Sequence, residues 1–301
     1  MTRPPYLKVG DQIALVSPAR KISMDELKTS LKMLQNWGLE VVFGQHIFAR
    51  ENQFAGSDAQ RAIDIQRFMD NPAVKAIMST RGGYGSVRII DKLDFRQFSR
   101  FPKWFIGYSD VTVFHSHLNA VLGVESLHAT MPINFPVDAL ANNSTESLRK
   151  ALFGELETYS FKPTQIIREK DVEGELIGGN LSIIYSLMGS DSEMDFEGKI
   201  LFIEDLDEYL YHIDRMMMNL KRARKLDKLA AILVGGMSDM NDNTIPFGKS
   251  AEEIIAEHTQ EYDYPVIFGF PAGHIAENWA LYLGRKISVE VHPEETKLFF
   301  L

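Results

Sequence analysis

Trp104-Phe105-Ile106-Gly107-Tyr108-Ser109-Asp110-Val111-Thr112 runs from three apolar residues through a glycine to a serine, and then into a helical pattern that reaches Val121. A strand, a tight turn and a helix start in direct succession mark the carboxyl end of a strand in an α/β sheet, where such folds place ligands.

Upstream of this junction, short apolar runs alternate with amphipathic stretches. Ile13 to Val16, Leu39 to Phe43 and Val74 to Met78 read as strands. Ser23-Met-Asp-Glu26 and Ser57-Asp-Ala-Gln60 are capping boxes. The first opens a helix with Leu27, Leu31 and Leu34 at helical spacing up to Gly38, and Asn71-Pro72 closes the second. Residues 1–140 are expected to form an N-terminal α/β domain with a Rossmann-like parallel sheet and flanking helices.

Downstream, residues 141–168 loosen into Asn, Ser, Thr and Pro-rich sequence, which predicts a linker. Residues 169–301 return to apolar runs at Lys199 to Ile203, Ala230 to Val234 and Val266 to Phe268, with helices near Tyr211 to Lys225 and Ser250 to Glu261. A second α/β domain fits this pattern, with a cleft between the two.

Composition narrows the partners. The 301 residues are 45% hydrophobic, enough for a large core, and carry a net charge of −9. No continuous basic stripe is present, so neither nucleic acid nor an anionic membrane is an expected partner. Lys221 to Lys225 reads as a solvated helix end. With no cysteine, disulfides, thiolate catalysis and cysteine-held zinc are excluded. The start lacks the apolar core of a signal peptide, and no stretch reaches ~18 uninterrupted apolar residues. A cytoplasmic location is expected.

Four segments carry candidate chemistry. Ser109 follows a turn at the predicted start of a helix, where free N–H groups favour a developing oxyanion; it also suits a plain N-cap. Arg81-Gly82-Gly83-Tyr84-Gly85 follows a strand, so its backbone can approach a ligand or simply form a tight turn; Arg81 is a candidate carboxylate clamp. Glu204 ends the Lys199 to Ile203 strand and can orient an imidazole. With Asp205, Asp207 and Glu208 it also reads as a solvated acidic loop or a cation site. His274 lies in a glycine-flanked loop after an apolar strand. Serine, acid and histidine all fall at strand ends, which points to nucleophilic catalysis.

Five segments together resemble the LD-carboxypeptidase (muramoyltetrapeptide carboxypeptidase) family, which includes the microcin-immunity peptidases. They are Arg81 to Gly85, Gly107 to Thr112, Gly178-Gly179-Asn180-Leu181-Ser182, Phe202 to Asp205 continuing through Tyr211 to Met216, and Gly273-His274. The resemblance implies a serine peptidase with Ser109 as nucleophile, Glu204 as acid and His274 as base, assembled across the cleft. It further implies an oxyanion hole from the N–H groups of Asp110 and Gly83, with Gly82, Gly178, Gly179, Asn180 and Arg81 near the substrate. No metal or organic cofactor is called for. The implied substrate is a murein tetrapeptide losing its terminal D-alanine during cell-wall recycling, and the implied assembly is a homodimer. One departure is Tyr282, near which many relatives carry proline; it bears on substrate preference.

The rival readings are a microcin-immunity-type peptidase acting on peptidyl or aminoacyl nucleotides, a cleft-type ligand-binding protein, and an α/β-hydrolase esterase. The last lacks its G-x-S-x-G elbow, because Val111 stands where the second glycine belongs.

Overall fold

Reciprocal capping starts the first two helices where the sequence places them. A computed structural model describes residues 1–301. In it Ser23 and Glu26, and Ser57 and Gln60, exchange side-chain and backbone hydrogen bonds. These bonds satisfy donors that a helix start leaves unpaired. They open α1 (Met24–Asn36), which buries Leu27, Met33 and Leu34, and α2 (Asp58–Asp70).

Strands β1 (Gln12–Val16), β2 (Glu40–Phe43), β3 (Val74–Ser79), β4 (Trp104–Gly107) and β5 (Ser126–His128) alternate with α1, α2, α3 (Arg96–Arg100) and α4 (Thr112–His117). They lie parallel in the order β5-β4-β3-β1-β2, so their carboxyl ends share one edge. After Gly85 the chain makes 3-10 turns at Ser86–Arg88 and Ile90–Lys92, and one helical reading changes. The stretch from Asp110 to Val121 is a 3-10 turn at Ser109–Val111, then α4, then a π turn at Leu118–Leu122 that ends on Gly123.

The stretch 141–168, read as a linker, is regular structure. Asn142 and Thr145 form another capping box, so the polar cluster that suggested a loop is the start of α5 (Asn143–Phe153). The strands β6 (Thr158–Phe161) and β7 (Gln165–Ile167) follow, and each closes one edge of a second sheet. Next come β8 (Val172–Asn180), α6 (Leu181–Ser186), β9 (Lys199–Leu206), α7 (Leu210–Arg222), β10 (Ala231–Ser238), α8 (Ala251–Thr259) and β11 (Val266–Phe268). The charged residues around Glu175 belong to β8, where Glu173 pairs with Lys286 and Glu175 with Lys199 at the sheet surface.

The last strands are β12 (Leu281–Leu283), β13 (Lys286–Glu290) and β14 (Thr296–Phe300). The second sheet runs β6-β14-β13-β8-β9-β10-β11-β7, parallel from β8 to β11 and antiparallel at both flanks. β12 instead joins the first sheet, antiparallel to β5. This return ties the halves together. Arg285 Nε donates to Glu125 at 3.0 Å in a buried ion pair, and its guanidinium lies 3.5 Å from the Tyr282 ring centroid. No helix is long and apolar enough to cross a membrane.

Candidate active site

The serine sits on a strained turn. Gly107 closes β4 with φ +152°, and a methyl group on it would lie 2.8 Å from Val111 Cγ2. Val111 therefore fills the room that Gly107 leaves, which is how the turn is built without a second glycine. Tyr108 is extended, and Ser109 adopts φ +65°, a left-handed conformation that non-glycine residues seldom take. Such strain persists only where the surroundings over-determine it, and it gathers at functional sites.

The glycine loop after β3 packs against this turn. A methyl group on Gly82 would lie 2.9 Å from Ser109 Cβ and 3.0 Å from its Oγ. The loop is held from below by buried Asp110, whose carboxylate accepts from Ser86 N at 2.8 Å. Burial raises the Asp110 pKa, against the lowering effect of its Ser86 hydrogen bonds. Beneath the loop, Arg61 donates to Pro18 O at 2.5 Å. Gly82, Gly83 and Asp110 all border the same cavity as Ser109.

The facing wall comes from the second half. Glu204 in β9 is 0% exposed, and its Oε2 accepts from His274 Nδ1 at 2.7 Å and from His274 N at 3.2 Å. The bond to Nδ1 fixes the tautomer and leaves Nε2 with its lone pair. Burial pulls the His274 pKa down, yet the hydrogen bond and charge of Glu204, with Asp205 behind it, outweigh that and raise it above 6.5. The Tyr108 ring packs 4.7 Å from the imidazole, centroid to centroid. Ser109 and His274 border one cavity of about 440 Å³, although no direct hydrogen bond joins them in this conformation. Catalytic hydrogen bonds commonly tighten only once substrate is bound.

Other expected residues are placed differently. Of Gly178, Gly179 and Asn180, only Asn180 borders the cavity. A methyl group on Gly178 would lie 1.9 Å from Phe202 O, and one on Gly179 would lie 2.5 Å from Thr112 Oγ1. Both glycines let β8 close on its neighbours: β9 for Gly178, α4 for Gly179. Arg81 borders the cavity but bonds Lys21 O at 3.3 Å and pairs with Glu26 at 3.5 Å. Tyr282 is fully buried in β12 and donates to Ala151 O at 2.7 Å. It packs the core and does not border the cavity.

The acidic cluster holds no metal cage: no three His, Asp or Glu side chains converge on one point. Glu208 pairs with His212 at 2.6 Å. Asp205 accepts from Asn180 Nδ2 at 2.9 Å and from Ser182 N at 2.8 Å. Burial, then the charge of Glu204, pushes its pKa up to about 7. Sequence reading singled out neither Asp205 by itself nor Arg20, Tyr108 or Asn134, which also line the cavity. For Arg20 a signal was available. It follows β1 by a few residues as Arg81 follows β3, and the two strands are neighbours whose carboxyl ends open on the same edge.

Comparison with known proteins identifies the family. Residues 13–129 match the family model of the LD-carboxypeptidase N-terminal domain, and residues 173–289 match that of the C-terminal domain. The chain is 33% identical to a probable murein peptide carboxypeptidase of Bacillus subtilis (strain 168), over 95% of this chain and 91% of that one. It is 27% identical to the microcin C7 self-immunity protein MccF of Escherichia coli, over 94% and 92% of the two chains. Among solved structures, the muramoyltetrapeptide carboxypeptidase from Oxalobacter formigenes superposes with a TM-score of 0.86 at 26% identity, covering 96% of this chain and 98% of that one.

Proposed function

The chain belongs to the LD-carboxypeptidase family, and from that premise we propose that it is a serine carboxypeptidase removing the terminal D-alanine of murein tetrapeptides. The observation that carries the proposal is the buried Glu204–His274 pair, 2.7 Å apart, facing the strained Ser109 across one cavity. Nothing in a ligand-binding cleft calls for that pairing.

In this reading His274 Nε2 takes the Ser109 proton as Oγ attacks the amide carbonyl between an L-centred diamino acid and D-alanine. Glu204 orients the ring and stabilises the imidazolium. The N–H groups of Asp110 and Gly83 receive the oxyanion, aided by the preorganised turn that Gly82 braces. His274 then protonates the leaving amine, and water releases the acyl group from Ser109. Asn180 holds the carboxylate of Asp205 at the far wall, where it borders the peptide. A cytoplasmic place in cell-wall recycling and a homodimeric assembly complete the proposal, to be read by fractionation and sedimentation.

Mass spectrometry of a murein tetrapeptide incubated with wild type and with Ser109→Ala tests it. Loss of one alanine with wild type alone is expected, and loss with both removes Ser109 as nucleophile. The likeness to MccF gives a second reading, a peptidase for aminoacyl or peptidyl nucleotides built on the same triad. Turnover of a sulfamoyl- or phosphoramidate-linked aminoacyl nucleotide, with the tetrapeptide left intact, would favour it.

A further inference from the structure

We propose that Arg20 is the specificity-determining residue that receives the free carboxylate at the end of the substrate; the inference rests on the carboxypeptidase reading above. A carboxypeptidase differs from an endopeptidase in one chemical demand. The group beyond the scissile amide is a carboxylate, three bonds from the carbonyl carbon under attack, and it must meet a cation close to the nucleophile.

Two arginines border the cavity. Arg81 is drawn to the capping box of α1, where it pairs with Glu26 at 3.5 Å and bonds Lys21 O at 3.3 Å. Arg20 is exposed and has no ion pair or side-chain hydrogen bond with the protein. Its guanidinium is thus the cavity's uncommitted cation, and no protein partner must be given up to bind an anion.

The loop geometry sets its distance from the chemistry. Val16 of β1 lies opposite Ser79 of β3, and the loops that follow are clamped by a buried Ser17–Thr80 hydroxyl pair at 2.7 Å. On the β3 side, Gly82 packs on Ser109, while a methyl group on Gly83 would lie 2.6 Å from Arg20 Cγ and 2.7 Å from its Cδ. Adjacent residues of one loop thus touch the nucleophile and the arginine stem, and neighbouring Cα atoms are about 3.8 Å apart. Gly83, at φ +119°, leaves the trough in which the stem lies. A substrate held by the Ser109 turn therefore directs its terminal carboxylate towards a guanidinium able to take it with two parallel hydrogen bonds.

The test uses the full chain with a murein tetrapeptide and with the same peptide ending in a carboxamide. Wild type is expected to prefer the acid, and in Arg20→Gln the acid-to-amide ratio of kcat/KM should fall roughly tenfold to hundredfold, the scale of a charge-assisted hydrogen bond, through the KM of the acid. Arg20→Lys should recover part of the ratio, and Arg81→Gln should keep it. Arg20 is exposed, so the substitution leaves the core intact. An unchanged ratio in Arg20→Gln, an equal fall for both peptides, or a ratio abolished by Arg81→Gln overturns the assignment while leaving the carboxypeptidase reading in place. Wild-type turnover of neither peptide overturns both.

Discussion

Gly273 lies so close to Glu204 that a methyl group on it would stand 2.7 Å from both Cβ and Oε2 of the carboxylate side chain. That approach lets the backbone N–H of His274 and its ring Nδ1 reach the same Oε2. The glycine also holds φ +106° and donates its own N–H to Asn278 Oδ1 at 2.9 Å.

Gly273→Ala is therefore expected to do two kinds of damage. Forcing an L side chain into this backbone conformation costs about 1–3 kcal/mol of stability. Displacing the imidazole by even an ångström should lower kcat by roughly a hundredfold. Thermal unfolding and steady-state kinetics read the two separately. A variant that keeps wild-type kcat would show that the close approach does not position His274.

The same pair predicts a pH profile. Glu204 raises the His274 pKa above 6.5 in spite of burial, and a general base must be neutral. The kcat/KM should accordingly rise with pH through a midpoint above 6.5, and Glu204→Gln should move that midpoint down as well as lower the plateau. The sign for stability is opposite. A raised histidine favours the folded state below 6.5, and this contribution is lost as pH rises through the folded value. An unmoved midpoint in the glutamine variant would separate the titration from Glu204.

Asp205 titrates in the other direction from most carboxylates. Its folded pKa of about 7 lies above the ordinary 3.8, through burial and the neighbouring Glu204 charge. The fold thus favours the protonated acid, so this residue's contribution to stability is present below 3.8 and is lost as pH rises through about 7. Asp205→Asn should flatten the fall of Tm across that window, whatever offset its altered hydrogen bonds to Asn180 and Ser182 introduce. Parallel Tm curves for the two proteins would place the charge cost elsewhere.

Much of this was legible in the chain because it is local. Capping boxes at Ser23 and Ser57 and the apolar runs at β1, β3, β4 and β11 announce themselves within a few residues. What escaped depends on partners far away in sequence. Strand β8 looks charged until Lys286 and Lys199 are seen to cover Glu173 and Glu175. Strand β12 joins the first sheet only because β5 offers it an edge. The family resemblance alone put Gly178 and Gly179 near the substrate, whereas here Phe202 and Thr112 take the space. Ser109, Glu204 and His274 stood out because the sequence puts each at or near the end of an apolar run, but the 2.7 Å bond between Glu204, inside β9, and His274 spans seventy positions and belongs to the fold.

The turn at Ser109 sets function against stability in a measurable way. Its φ of +65° is adopted by glycine freely and by an L residue at a cost of about 1–2 kcal/mol, and the hydroxyl makes no hydrogen bond within the protein that would offset it. Ser109→Ala keeps the Cβ and therefore the strain, while Ser109→Gly removes both. It also removes the half-buried Cβ that Gly82 packs against, a contact small compared with the backbone term. Both variants should lose turnover, and the glycine variant should unfold about 1 kcal/mol less readily than the alanine one after allowance for the greater freedom of its unfolded chain. Denaturant midpoints at constant slope measure this difference. Equal midpoints would mean that the left-handed turn is relaxed at Ser109 and that the hydroxyl is held there without strain; a more stable glycine variant would identify the serine as a residue kept for its chemistry against the preference of the backbone.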